Sequence, residues 1–401
     1  MTQGDETAVG QRRRRLYLDR NMLVIFTITL VALAGVSSIA PALPTVSRKF
    51  DITAGQVGWL ISIFTIPGIV FTPLMGLAGD RLGRKRVLVP ALVLFAVAGS
   101  ACTLVDDFTH LLILRFLQGI GAAAIGALNL ALIGDLYSGD ERISAFGYNT
   151  AVISGAAAGY PLIGGALVLV GWQYPFILAL IGLPVAVLVS FVLDNSPPGR
   201  SQKLALYFRN LATALRRLDI GALFLATFAV FTLIYGALIT FLPFRIEQDL
   251  GGTAIDYGLV MAANAVGSVA GSIMLSTLKR HNIPARAIAL SMLCVLAVAT
   301  ATLAYAPDLW MMILISAVIG VAIGLFLTLM QTMVANRAPE EQRGALLALN
   351  GMMIRLGQTC GPLLMGLFLA FGGMTAVFFG GAAIVLAVLP LVAVAFKPRP
   401  S

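Results

Sequence analysis

The sequence predicts an all-α membrane protein: twelve transmembrane helices in two pseudo-symmetric six-helix bundles, with both chain ends on the cytoplasmic side. Three observations predict it. Only 11% of the 401 residues are charged and 59% are hydrophobic. A soluble domain carries roughly 25% charged residues, so this chain has too little charge to coat a water-exposed surface. Apolar stretches recur along the whole chain, each long enough for the roughly 20 residues that a helix needs to cross ~30 Å of hydrocarbon. The second half also repeats landmarks of the first at one constant offset.

Twelve such stretches fall near 22–46, 55–78, 87–105, 109–135, 144–169, 173–193, 218–243, 256–277, 286–306, 309–335, 344–371 and 374–396. Residues 1–21 form a basic cytoplasmic tail holding Arg12 to Arg15 and Arg20. The apolar run that follows exceeds the ~7–15 residues of a signal-peptide core, so it is expected to be a first membrane helix and not a cleaved leader. Residues 22–193 make the first bundle and residues 218–396 the second, with a cytoplasmic tail at 397–401. Short links at Gly171–Tyr174 and Gly372–Gly373 imply tight antiparallel hairpins. The connection at 194–217 begins with a turn-rich NSPPGRS. It continues with Leu204, Tyr207, Leu211 and Leu215 at helical spacing, opposite Lys203, Arg209, Asn210 and Arg217. That pattern predicts an amphipathic helix lying on the inner membrane face; a partly ordered linker is the alternative.

Lys and Arg set the orientation, because they are retained on the cytoplasmic side. The side of the N-terminus holds the tail arginines, the cluster from Arg81 to Arg86, Arg142, the basic linker, Lys279, Arg280, Arg286, Arg337, Arg343, Lys397 and Arg399. The other side holds Arg48, Lys49 and Arg245. The net charge of +9 is therefore topological and gives no reason to expect nucleic acid as a partner.

A shift of 201 residues places Gly119 on Gly320, Arg142 on Arg343, Asn149 on Asn350, Pro161 on Pro362 and Gly165 on Gly366. Such gap-free agreement marks two copies of one six-helix unit, and parallel repeats of this kind are a transporter architecture.

Residues 76–86 read GLAGDRLGRKR, a knot of glycine and charge between the second and third spans. The stretch resembles the G-x-x-x-D-R-x-G-R-[RK] loop of the major facilitator superfamily, with Gly76, Asp80, Arg81, Gly83, Arg84 and Lys85 at the defined positions. LRFLQGIGAA, from residue 114, resembles the fourth-helix motif of that family's drug:proton antiporters. Their fifth-helix glycine–proline motif is matched at Pro161, Gly164 and Gly165, while Ala156 and Tyr160 depart from it. Its repeat counterpart keeps Gly357, Gly361, Pro362 and Gly366, with Met365 as the exception. These positions are the expected helix-packing motif. The resemblance spans essentially the whole chain and implies the major facilitator fold, multidrug efflux and proton coupling. It also implies a charge network of Asp80, Arg84 and Asp135 that latches the halves on the inner side in one transport state. Simple retention of the loop inside by its arginines is the alternative. Gly76 and Gly83 are expected to allow close backbone approach there. The corresponding STLKRHNIPAR of the second half lacks the aspartate and the glycines, so the latch is one-sided.

All eighteen carboxylates fall in loops or at span ends, whereas Arg115 and Arg355 lie within spans. Arg355 is about eleven residues into its span, roughly 17 Å deep, where an arginine costs at least about 2.5 kcal/mol. It is expected to line a substrate cavity with Gln358 and Thr359; a structural arginine bound to helix carbonyls is the alternative. Arg115 and Gln118 share a face that continues to Asn129 and are expected to belong to the substrate or coupling cavity; helix packing along that stripe is the alternative. Thr232, Tyr235, Thr240, Asn264, Gln331, Asn149 and Asn350 are further cavity candidates, each equally suited to an interhelical hydrogen bond. A cavity whose deep charge is positive favours neutral, zwitterionic or anionic amphiphiles.

No nucleotide-binding G-x-x-x-x-G-K-[ST] is present, so an ion or substrate gradient must supply the energy. Two histidines and three cysteines in apolar segments, Cys102, Cys294 and Cys360, form no metal-binding spacing. The expected protein is thus a monomeric secondary transporter without cofactor or metal, its partners a small amphipathic substrate and the lipid bilayer. A lipid or lysolipid transporter and an organic-anion carrier are the rivals within that class. A membrane-embedded enzyme or a non-transporting receptor is the rival outside it.

Overall fold

The computed structural model describes residues 16–194, 218–337 and 340–395. Most of the expected tails and of the linker at 194–217, including its amphipathic helix, fall outside the described residues. Within them the chain is helical throughout, with no strand. In hydrocarbon a backbone polar group has no water to bond, so each segment must satisfy its own peptide groups, and helices do this.

Among the described residues eleven helices are long and apolar enough to cross a membrane: α1 Arg20–Lys49, α2 Ala54–Leu82, α3 Arg84–Leu104, α4 Phe108–Leu136, α5 Gly139–Val168, α6 Tyr174–Val192, α7 Ile220–Leu250, α8 Ala254–Arg280, α9 Ala285–Leu303, α10 Leu309–Met333 and α11 Leu349–Ala395. The last runs 47 residues but is broken at Gly372 and Gly373, the latter at φ 68°.

Local chemistry sets the ends. Gly83, at φ 95°, turns the chain from α2 into α3. Asp107 caps α4 by accepting the His110 amide at 3.0 Å. Gly251 ends α7 in the left-handed conformation, and the Asp256 carboxylate closes the first turn of α8 onto the Thr253 amide at 2.6 Å. Residues Ile234–Phe241 of α7 form a π-helical stretch, in which Thr240 donates its hydroxyl to the Tyr235 carbonyl at 2.7 Å.

The chain divides into two compact units that do not follow its sequence halves. One comprises Met1–Val36, Pro67–Ala156 and Phe176–Ser201; the other comprises Ser37–Ile66, Ala157–Pro175 and Gln202–Ser401. The division cuts α1, α2 and α5 partway along. In α2 it falls at Pro67, which lacks the amide hydrogen that would tie that turn to the one before it.

In the first unit α3 packs on α4 through Gly121, where a Cβ would lie 2.7 Å from the Ala91 carbonyl. In the second unit Gly267 and Gly271 of α8 face the carbonyls of Ala317 and Val321. Gly320 and Gly324 of α10 face those of Asn264 and Ser268 in return, so each helix presents a pair of glycines four residues apart to the other's backbone. On α11, Gly357 and Gly361 abut α7, with added Cβ atoms 2.7 Å from the Phe228 carbonyl and 2.6 Å from that of Thr232.

The second unit also contains two contacts related by the repeat. A Cβ added at Gly58 of α2 would lie 3.3 Å from Pro362 of α11, and one added at Gly258 of α8 would lie 2.9 Å from the Pro161 carbonyl of α5. Gly164 and Gly165 press on the Ser38 and Ala254 carbonyls, whereas a Cβ at Gly366 would make only ordinary contact, 3.6 Å from the Gly55 carbonyl.

Gly324→Ala should therefore force α8 and α10 apart, at a cost of about 2 kcal/mol, and lower the melting temperature of the detergent-purified protein. Gly155→Ala, where a side chain would meet nothing within 4 Å, should leave it unchanged.

Candidate functional site

The charged knot is built by the end of α2, the Gly83 turn and the start of α3. Arg84, 9% exposed, reaches Asp80 Oδ1 with Nη2 at 2.6 Å and Asp135 Oδ2 at the end of α4 with Nε at 2.9 Å. Its Nη1 also donates to the Gly76 carbonyl at 3.3 Å. One guanidinium thus sits between two carboxylates in a largely dry pocket. The glycine roles differ from the expectation. Gly76 faces open space, and Gly83 is required by its positive φ and not by contact. Close approach falls instead to Gly79, where a Cβ would strike Leu128 and lie 3.1 Å from Arg84 Nη1. Arg81 is exposed, and Lys85 donates to the Ser190 carbonyl near the end of α6 at 3.3 Å.

The same unit joins the start of α1 to the end of α6. Asp194 accepts from Arg20 and from Asn21 Nδ2, the latter at 2.9 Å, while its amide donates to Asn21 Oδ1 at 3.0 Å. The Asn21 amide, and after it Arg20, hold the Asp194 carboxyl below its usual value. Asp19 caps α1 and accepts the Tyr137 hydroxyl at 2.5 Å.

Deeper in this unit, Arg115 is fully buried. It donates to the Gly35 carbonyl at 2.8 Å and to Gln118 Oε1 at 2.7 Å. Gln118 in turn packs against Gly99. Asn129 and Asn149 are brought together on one hydroxyl: Asn129 Nδ2 lies 2.7 Å and Asn149 Oδ1 2.5 Å from Thr29 Oγ1. The second unit repeats half of this device, with Thr227 donating to Asn350 Oδ1 at 3.0 Å. Asn264 donates to the Ser316 carbonyl at 3.0 Å.

Arg355 differs from Arg115. It is half-buried, and Nη1 contacts Gln358 Oε1 on its own helix at 3.2 Å. Tyr235, in the π-helical stretch of α7, lies within electrostatic range of Arg355 and of the buried Tyr257. Phe231 stacks obliquely on Tyr235 with ring centres 6.4 Å apart. The result is a polar patch of guanidinium, amide and phenol set in an aromatic wall. Thr359 instead ties α11 to α2, its hydroxyl 2.9 Å from that of Thr65 and its carbonyl accepting from Ser62 at 2.8 Å. Thr232 and Thr240 are buried in α7, and Gln331 is exposed near the end of α10.

Several partners were not read from the sequence. Gly79 had no signal within α2, because its close neighbour Leu128 lies on another helix. Thr29 and Thr227 had a faint one: they stand 198 residues apart and so escape a search at an offset of 201. Tyr257 had none.

The sequence profile of the Major Facilitator Superfamily matches residues 25–301 and 223–401. The bacillibactin exporter of Bacillus subtilis is 32% identical over 165 residues, covering 39% of this chain and 41% of that protein. Multidrug resistance protein 1 of Bacillus subtilis is 25% identical over 247 residues, covering 61% of this chain and 63% of that one. The matched stretch thus spans less than two thirds of either relative. Among solved structures, a bacterial homologue of the human lysosomal transporter Spinster, in an inward-facing and occupied conformation, superposes with a TM-score of 0.75 over 93% of this chain and 94% of its own. Its sequence identity is 16%, so the likeness is one of fold.

Arg84→Ala leaves two partly buried carboxylates without their cation and should cost about 3 kcal/mol. The Arg84→Ala/Asp80→Asn/Asp135→Asn triple variant should recover most of that loss. Thermal melting of the purified proteins compares them, and a triple variant no more stable than the single one would count against the network.

Proposed function

The chain belongs to the major facilitator superfamily, and we propose that it is a proton-coupled secondary transporter that exports drug-like amphiphiles by alternating access, preferring neutral, zwitterionic or anionic ones. Relatives that carry the names multidrug resistance protein and bacillibactin exporter support export. The proposed topology has twelve crossings of the cytoplasmic membrane in a monomer, with both ends inside. The Gly372–Gly373 break supports that count, because an unbroken 47-residue helix would be about 70 Å long.

The observation that carries the substrate preference is Arg355. Among the described residues every carboxylate lies in a turn or near a helix end, and none is paired with this guanidinium. A deep cation held only by its neighbour Gln358 retains donors for a ligand anion or carbonyl, and Tyr235 with Phe231 supplies the apolar wall that an amphiphile needs.

Two devices support the alternation. The paired contacts Gly58–Pro362 and Gly258–Pro161 hold one end of the second unit shut. In this reading Asp80, Arg84 and Asp135, which are already joined within the first unit while those contacts are made, hold the charged knot ready for the latch of the opposite state, in which that end opens. A two-state carrier needs interactions made in one state and lost in the other.

Reconstituted vesicles loaded with matched cationic, neutral and anionic dyes, with and without a pH gradient, test the preference. Arg355→Ala is expected to slow transport of the anionic dye about tenfold while sparing the cationic one. Faster transport of the cationic dye, unchanged in the variant, would refute the assignment. An anionic lysolipid transported in place of the dyes would favour a lipid carrier, and a gradient-insensitive anionic flux an organic-anion carrier. Asp80→Asn should shift the population toward the inward-open state, read as longer spin-label distances across the cytoplasmic face; unchanged distances would remove the latch.

A further inference from the structure

A cavity of about 370 Å³ lies where the end of α7 meets the end of α9 and the segment of α11 that follows its break. Arg245, Gln248, Asp249 and Thr375 form its polar walls, and Met374 and Phe378 its apolar ones. Arg245 Nη2 donates to the carbonyls of Ala304 at 3.2 Å and Ala306 at 3.3 Å, and Nη1 lies 2.6 Å from Asp249 Oδ2. A guanidinium carries two hydrogens on each Nη and a carboxylate two acceptor oxygens. These bonds therefore leave one Nη1 hydrogen of Arg245 and the second oxygen of Asp249 uncommitted. The side chains are 14% and 42% exposed, so a dry cation and a wetter anion stand side by side at one opening.

The surroundings give the level of this opening in the membrane. Tyr305 is 68%, Trp310 76% and Phe371 87% exposed, and Tyr305 packs edge-on against Phe379. Exposed aromatic residues of this kind gather at the boundary between headgroups and acyl chains. Tyr305 stands between the two alanines whose carbonyls hold Arg245, so the cavity lies at headgroup height.

We propose that this cavity binds the headgroup of a zwitterionic phospholipid bearing a primary ammonium, that is, a phosphoethanolamine headgroup. The phosphate accepts from Arg245, and the ammonium donates to Asp249. Met374 and Phe378 receive the methylene groups beside them. A choline headgroup has no N–H to give Asp249, and a phosphatidylglycerol headgroup brings a net negative charge to that carboxylate. A bound lipid would link α7, which carries Tyr235, to the last segment of the chain.

The test uses the full-length protein purified from nanodiscs with equal phosphatidylethanolamine, phosphatidylcholine and phosphatidylglycerol, with mass spectrometry of the lipid that co-purifies. Phosphatidylethanolamine is expected at least threefold enriched over the other two. Arg245→Gln and Asp249→Asn should each return it to the bulk ratio. Thr375→Trp, which fills the cavity from its exposed rim without touching the ion pair, should do the same. Bulk-ratio lipid on the native protein, or enrichment that survives all three substitutions, overturns the proposal. Soluble phosphoethanolamine added in nanodiscs free of phosphatidylethanolamine should leave the melting temperature unchanged. A stabilisation there that Arg245→Gln abolishes, without lipid enrichment, would assign the cavity to a soluble zwitterion and overturn the lipid reading.

Discussion

Backbone must touch backbone for these helices to stay together. In a bilayer a leucine gains little by leaving lipid for protein, so association rests on close packing and on polar groups that find partners. Gly267, Gly271, Gly320 and Gly324 bring α8 and α10 into carbonyl contact, and Gly236, Gly357 and Gly361 do so for α7 and α11. The position of Arg355 follows from this. With Gly357 and Gly361 committed to α7, Arg355 and Gln358 occupy other azimuths of the same helix and reach one another.

The three buried or half-buried arginines show how environment divides one side chain among different tasks. Arg84 is neutralised by two carboxylates near the helix ends. Arg115 is enclosed and bonded to the Gly35 carbonyl and to Gln118, an arrangement suited to holding α1 against α4. Among the described residues Arg355 bonds only to Gln358 on its own helix, and Tyr235 lies within its electrostatic range. Asn129, Asn149 and Asn350, by contrast, bond to threonine hydroxyls and Asn264 to the Ser316 carbonyl, contacts that fasten helices where no water competes.

Helices were legible because an apolar run of sufficient length admits few other structures in lipid. The Gly372–Gly373 break was legible because two glycines interrupt such a run. Arg84, Asp80 and Asp135 were legible through a motif. The role of Gly79 was not, because it depends on Leu128 from another helix, and no spacing within α2 encodes that neighbour. The cavity candidates were only partly legible for the same reason. Asn149 and Thr359 have the chemistry of ligand-binding groups, and only the positions of Thr29 and Thr65 reveal that other helices already occupy them. The compact units were not legible either. Their borders run through α1, α2 and α5, where contacts change partner while hydropathy stays constant.

The π-helical stretch of α7 has a geometric consequence beyond its own turn. A widened turn of this kind holds an inserted residue, and each residue of a helix advances the azimuth by about 100°. Everything after Phe241 is therefore rotated relative to a regular helix. Arg245 meets the carbonyls of Ala304 and Ala306 only in that rotated frame. Regularising the stretch between Ile234 and Phe241 with every residue kept would swing the guanidinium off its carbonyls, so the bulge acts as the phase-setter for the far end of α7.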